Sequence, residues 1–142
     1  MEFPATRSDN LANLASDGTA TASDYQDAVI VSYPPCKAID GDPGTRWASK
    51  TESTAWITVD LKAVRQVGRV VLDWSDQYAV KYTIAVSSDN ATWTTVHTTT
   101  AGSGGIENRS FTPTDARYVR VNLLTKGTDN RYSLNEIGVY TR

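Results

Sequence analysis

Asp40, Asp42 and Thr45 lie within AIDGDPGTRWASK, residues 38–50, in a loop bent by Gly41, Pro43 and Gly44. Two carboxylates and a hydroxyl this close together, on a chain forced to turn, make an oxygen cluster suited to a hard cation. Such an ion takes roughly six to eight oxygens at about 2.3–2.6 Å, and a tight turn adds main-chain carbonyls to the carboxylates. The spacing D-G-D-P-G-T is not an EF-hand, which needs a loop of about twelve residues closed by a glutamate. Taken alone, the segment is a weak metal signal and reads more readily as an Asx turn and a proline turn with solvated carboxylates.

Other reactive side chains are scarce. Cys36 and His97 are the only cysteine and histidine, so an internal disulfide is impossible. The usual nucleophile–base pairs and zinc ligand sets cannot be assembled from this chain either. Cys36 reads as a partly buried small hydrophobe. His97, in TTVHTTT, reads as a solvent-facing strand residue. Asp73 with Asp76, or Glu52 with Asp76, are carboxylate pairs of the kind that hydrolyse glycosides. Acids on surface loops are usually just solvated, however, and 142 residues leave little room for a deep cleft. No enzymatic activity is expected.

Composition narrows the partners. With 39% hydrophobic and 21% charged residues the chain is globular, and one domain of this length can bury a real core. The formal net charge of −2 offers no basic field for nucleic acid. No apolar run approaches a membrane span and no signal peptide is visible. Residues 1–14 read as a start followed by a polar lead-in, and residues 15–142 as a single domain.

The elements that must hold these groups are short and β-like. TATAS (19–23) alternates, and AWITVDL (55–61) sets Ile57, Val59 and Leu61 against Trp56, Thr58 and Asp60. VGRVVLDW (67–74), KYTIAVSSD (81–89) and TWTTVHTTT (92–100) follow, the last two joined as a hairpin through Asp89-Asn90. After the AGSGG loop come IENRSFT (106–112), ARYVRVNLL (116–124) and SLNEIGVYT (133–141). Valine and threonine abundance, period-two alternation and frequent turns predict an all-β sandwich of about eight antiparallel strands, a jelly roll.

The motifs A-I-D-G-D-P-G-T-R-W-A-S, W-I-T-V-D-L, V-x-x-V-x-L-D-W, Y-T-I-A-V-S-S-D-x-x-x-W, A-R-Y-V-R-V and S-L-N-E-I-G-V-Y occur here in one order. In this the chain resembles the discoidin, or coagulation factor 5/8 type C, family, and within it carbohydrate-binding module family 32. The resemblance runs from about Ala15 to Tyr140. It implies a β-sandwich with a structural calcium ion. The ligands it implies are the Lys37 carbonyl, the Asp40 carboxylate, the Asp42 carbonyl, both oxygens of Thr45, the Asn135 carbonyl and the Glu136 carboxylate. One ion would then tie the loop near residue 40 to the last strand. Trp47 is expected to pack beneath that loop, and Trp56 and Trp93 to be framework residues.

The resemblance also implies a sugar site on loops at one end of the sandwich. Sugars present hydroxyl edges and apolar C–H faces, so a site needs planar hydrogen-bonding side chains around an aromatic platform. Four segments supply them: residues 23–27 with Tyr25 and Gln26, 46–53 with Arg46 and Lys50, 74–82 with Asp76 and Tyr78, and 128–133 with Arg131 and Tyr132. Arg46 and Asp76 stand where the family places polar sugar contacts, and Tyr132 is expected to be the platform, with Tyr78 or Tyr25 as alternatives. Histidine, frequent in galactose-binding members, is absent from all four loops. The expectation is therefore a non-catalytic module for gluco-configured polysaccharide, β-glucan or chitosan, with galactose-type glycans as the alternative sugar. It would be secreted and monomeric, with its parent's glycoside hydrolase domain in cis. The runner-up is a cell-adhesion lectin, or a protein- or membrane-binding discoidin domain. The polar character of the four loops argues against lipid insertion.

Overall fold

The computed structural model describes residues 12–27, 30–127 and 129–142. Most of the expected lead-in, residues 1–11, lies outside the described residues, as does Thr128 of the fourth loop. The strands are β1 (Thr19–Ala22), β2 (Trp47–Ala48), β3 (Ala55–Trp74), β4 (Ala79–Ser87), β5 (Thr94–Thr99), β6 (Ile106–Lys126) and β7 (Ser133–Tyr140). Two short 3-10 turns, Leu14–Asp17 and Pro35–Ala38, are the only helical pieces among the described residues. The first is pinned by Asn13, whose Oδ1 accepts from Ala15 N and from Val139 N.

Among the described residues seven strands replace the expected eight or so, because two pairs of expected strands merge and the short β2 is added. AWITVDL and VGRVVLDW are two halves of one strand, β3, and IENRSFT and ARYVRVNLL are halves of β6. The exposed residues between them remain in the ladder through main-chain pairing, as in Arg65 with Ala116 and Gln66 with Asp115. A side-chain pattern cannot report a ladder held by backbone alone. Register slips between Asp60 and Arg65 and between Val67 and Arg69 bend the pair. Lys62 takes a left-handed φ of 72° at this bend. There Asp60 accepts from Lys62 N and, in bidentate fashion, from Arg117 at 2.8 and 3.0 Å.

The bend folds a single hydrogen-bonded sheet into two layers. The first half of β3 lies between β1 and the second half of β6, which continues to β4 and β5. The second half of β3 lies between the first half of β6 and β7, which continues to β2. The core includes the alternating faces read in AWITVDL and KYTIAVSSD and adds those of the remaining strands. Ile57, Val59, Leu61, Tyr82, Ile84, Val86, Val119, Val121 and Leu123 come from one layer, and Val70, Leu72, Trp74, Leu134, Ile137 and Val139 from the other. Truncating one of these, such as Leu72 to alanine, costs about 2–5 kcal/mol.

Two peripheral expectations change. Cys36 is exposed, because the 3-10 turn buries Ala38 and leaves Cys36 facing solvent. His97 is half-buried, with Nε2 2.9 Å from Thr99 Oγ1, and burial with the nearby Arg109 lowers its pKa. Trp47 is fully buried, as expected. Trp56 and Trp93 sandwich the Arg120 guanidinium, 4.1 and 4.3 Å from its Cζ.

Candidate functional site

Hydrogen bonds, most of them main-chain, draw the four candidate segments together at one end of the sandwich. Gln26 N donates to Ala48 O, Trp47 Nε1 to Asp24 O and Lys50 N to Asp24 Oδ1, joining the first segment to the second. β2 pairs with β7 at Trp47–Leu134 and Ala48–Ser133, and Ser49 N reaches Tyr132 O. Ser75 N donates to Ser133 O and Ser133 N to Gln77 O, which brings in the third segment. The rim is therefore assembled largely by backbone, with the Trp47 indole and the Asp24 carboxylate as side-chain members.

Those side chains fall into distinct environments. Asp76 is exposed at the tip between the two bonds to Ser133. Tyr25 is 37% exposed and shares a groove of about 290 Å3 with Ser23, Asp24, Asp27 and Lys50. Arg131 is half-buried, and its Nη1 donates to Ser49 O at 2.9 Å. Gln26 holds the segment through its main chain.

Tyr132 cannot be the stacking platform. It is completely buried, its N–H donates to Ser49 Oγ and its hydroxyl to Ser53 O at 2.6 Å. The ring supports the rim from beneath. Tyr78 is a poor platform too, since two loops close on it: a Cβ on Gly127 would lie 2.7 Å from its ring, and one on Gly104 3.0 Å. Tyr25 is the exposed tyrosine of the three.

The sequence reading missed two residues. Tyr33 lies beneath Arg46, whose Cζ is 4.3 Å from the ring centroid. Its place ahead of Pro34-Pro35 in an extended loop was the available signal. Glu107, 6% exposed, accepts from Trp74 Nε1 at 2.7 Å, Tyr82 OH at 2.9 Å and Ser103 N at 3.1 Å, and pairs with Arg109. It thereby fixes Trp74, the residue from which the Asp76 loop departs. Nor is this end uniformly polar. Ile30 and Val31, on the excursion after the first segment, are 93% and 46% exposed.

The oxygen cluster lies beside this rim. Gly41, at φ +77°, turns the chain so that its N–H donates to Glu136 Oε1 at 2.9 Å, joining the loop to β7. Thr45 Oγ1 lies 2.5 Å from Asp40 Oδ2, 3.0 Å from Asp42 O and 3.5 Å from Lys37 O. One hydroxyl proton cannot serve three acceptors. Burial, reinforced by contact with the Asp40 carboxylate, pushes Glu136 up to about 7. Although burial opposes it, Asp40 is held below its usual value by hydrogen bonds from Thr45 and Asp42 N–H. Asn135 is the extra residue of a bulge, since Asp73 pairs with Glu136 and Trp74 with Leu134. Carboxylate, hydroxyl and carbonyl oxygens gathered this closely are the donor types an oxygen-seeking cation takes, and such an ion would displace the proton that Glu136 holds against Asp40.

Residues 19–137 match the F5/8 type C domain. The chain belongs to that family. Its structure is similar to chitosan-binding module 1 from a chitosanase/glucanase of Paenibacillus sp. IK-5, at 45% identity and a TM-score of 0.85 over 91% of this chain and 98% of that one. Module 2 of the same enzyme, solved with chitotriose, is 40% identical with a TM-score of 0.83, covering 90% and 99%. A polysaccharide lyase 8 family protein, HylA of Enterococcus faecalis, is 33% identical over 75 residues, which is 53% of this chain but 5% of that protein. Other solved family 32 modules share the fold. This F5/8 type C domain is thus a jelly roll.

Proposed function

We propose that this domain is a non-catalytic carbohydrate-binding module that holds a secreted bacterial glycoside hydrolase on gluco-configured polysaccharide, chitosan above all. The observation that carries the reading is the preassembled rim, where exposed Asp76 and the grooved Asp24 and Asp27 offer carboxylates to ammonium groups while Arg46 offers fixed donors. The likeness to chitosan-binding modules over nearly the whole of both chains supports it. Tyr25 supplies the stacking face, and Gln26, Lys50, Tyr78 and Arg131 border it. Calcium, held by Lys37, Asp40, Asp42, Thr45, Asn135 and Glu136, fastens the loop to β7 and takes no part in contacting sugar.

A shallow rim with one exposed tyrosine gives weak binding, with Kd on the order of 0.1–1 mM. Its value lies in raising the local concentration of the catalytic domain in cis. Affinity electrophoresis in gels containing chitosan, β-glucan or galactan tests the reading. Retardation strongest in chitosan is expected, and equal mobility in all three would contradict it. Exposed Ile30 and Val31 favour a second reading, a lipid-facing discoidin domain. Co-sedimentation with anionic vesicles in place of retardation by glycans would support that one.

A further inference from the structure

A pocket of about 200 Å3 opens between the oxygen-rich loop and the excursion that follows β1. Val31 and Tyr33 line one side, Gly44 and Thr45 the other, and among the described residues Lys37 and Arg46 are the charged members of its lining. Both are positive. The Arg46 guanidinium lies over Tyr33, and its Nε is buried with no partner among the described residues. Tyr33 is fixed twice, donating its N–H to Gln26 O at 2.9 Å and accepting from Ala48 N at 3.2 Å. Opposite, Gly44 N donates to Asp42 Oδ1 and Thr45 N to Asp42 O. The walls are in place before any ligand arrives.

We propose that this pocket receives the acetamido group of an N-acetylglucosamine residue, so that the rim selects partly acetylated chitosan over the fully deacetylated chain. The inference rests on the chitosan reading above. An acetamido group presents a carbonyl that needs a donor and a methyl that needs an apolar surface. Lys37 Nζ and the outer nitrogens of Arg46 are donors without acceptor capacity, and Val31 with the edge of Tyr33 is the apolar surface. A 2-ammonium in the same place would meet two like charges. A carboxylate would satisfy the charges but would press a fully polar group against Val31. The neighbouring groove, with Asp24 and Asp27, has the opposite chemistry and takes the ammonium of an unmodified residue. One rim thus reads two substituents.

Calorimetric titration with three oligomers tests this: the glucosamine tetramer, the same tetramer carrying one N-acetyl group, and an oligouronate of equal length. The singly acetylated tetramer should bind about tenfold tighter than the deacetylated one, the order expected for a buried methyl with a hydrogen bond. Val31→Asp and Tyr33→Ala should shrink that ratio to within about twofold, and Tyr33→Phe should preserve it. Equal binding of the two glucosamine tetramers, a ratio untouched by Val31→Asp, or tighter binding of the oligouronate would overturn the acetamido assignment alone. Failure of both glucosamine tetramers to bind would instead overturn the chitosan reading beneath it.

Discussion

Arg46 is the side chain on which the proposed sugar contacts of the rim most depend. Stacking on Tyr33 fixes its plane, so a sugar contact made there would cost little further rotamer freedom. Arg46→Ala should weaken chitosan binding by about 1.5–3 kcal/mol, the range for losing a hydrogen bond to a charged group; unchanged gel retardation would refute this. Tyr132 makes the complementary case. With its ring buried and its hydroxyl bonded to Ser53 O, Tyr132→Phe should lower stability in urea by about 1 kcal/mol. A large loss of affinity with no loss of stability would restore it as a ligand contact. Both residues stand out in the sequence, yet only the structure separates their roles. A tyrosine among Asn, Arg and Ser reads as exposed, and nothing local records that Ser49 and Ser53 close over it. Trp47 was legible because its neighbours fix its depth, whereas Glu107 was not, since its partners Trp74, Tyr82 and Ser103 are remote in sequence.

Among elements, the hairpin and the oxygen-rich loop show how polar groups set geometry. Asp89 caps the β4–β5 turn by accepting from the N–H groups of Ala91 and Thr92, beside Asn90 at φ 60°. Those main-chain bonds lower its pKa from 3.8 to about 2. A depressed carboxylate contributes stability above its unfolded pKa and loses it as pH falls through the folded one. The melting-temperature advantage of the native protein over Asp89→Asn should therefore be constant above pH 3.8 and shrink toward about pH 2. A gap independent of pH would contradict this. The oxygen-rich loop gives a metal prediction. If calcium fastens residues near 40 to Glu136, EDTA should remove about 2.7 kcal/mol when the ion had stood at 100 times its Kd. Thermal unfolding would then fall by roughly 8–10 °C. Glu136→Ala should melt lower and respond little to EDTA, whereas identical melting curves for the two proteins would argue against the ion. Strand positions were readable because alternation survives in AWITVDL and KYTIAVSSD. Strand continuity was not, because past the bend after Asp60 the exposed Arg65 and Gln66 rejoin the ladder through backbone pairing alone.

Across the whole molecule, a bent sheet packed on itself presents one end where four segments are stitched by main-chain bonds. Another groove lies between the β4–β5 hairpin and Thr114–Asp115, lined without any aromatic ring. Its Asp89 is already committed to the turn, so it offers sugar little. The proposed role of the rim is to grip saccharide and leave it intact. An amide chemical-shift titration with the glucosamine tetramer, followed by mass analysis of the recovered sugar, tests this most directly. Shifts confined to residues 23–27, 31–33, 46–53, 75–78 and 129–133, with the tetramer whole, are predicted. Shifts centred on Asp89 and Asp115, no shifts at millimolar sugar, or shortened oligomers would contradict it.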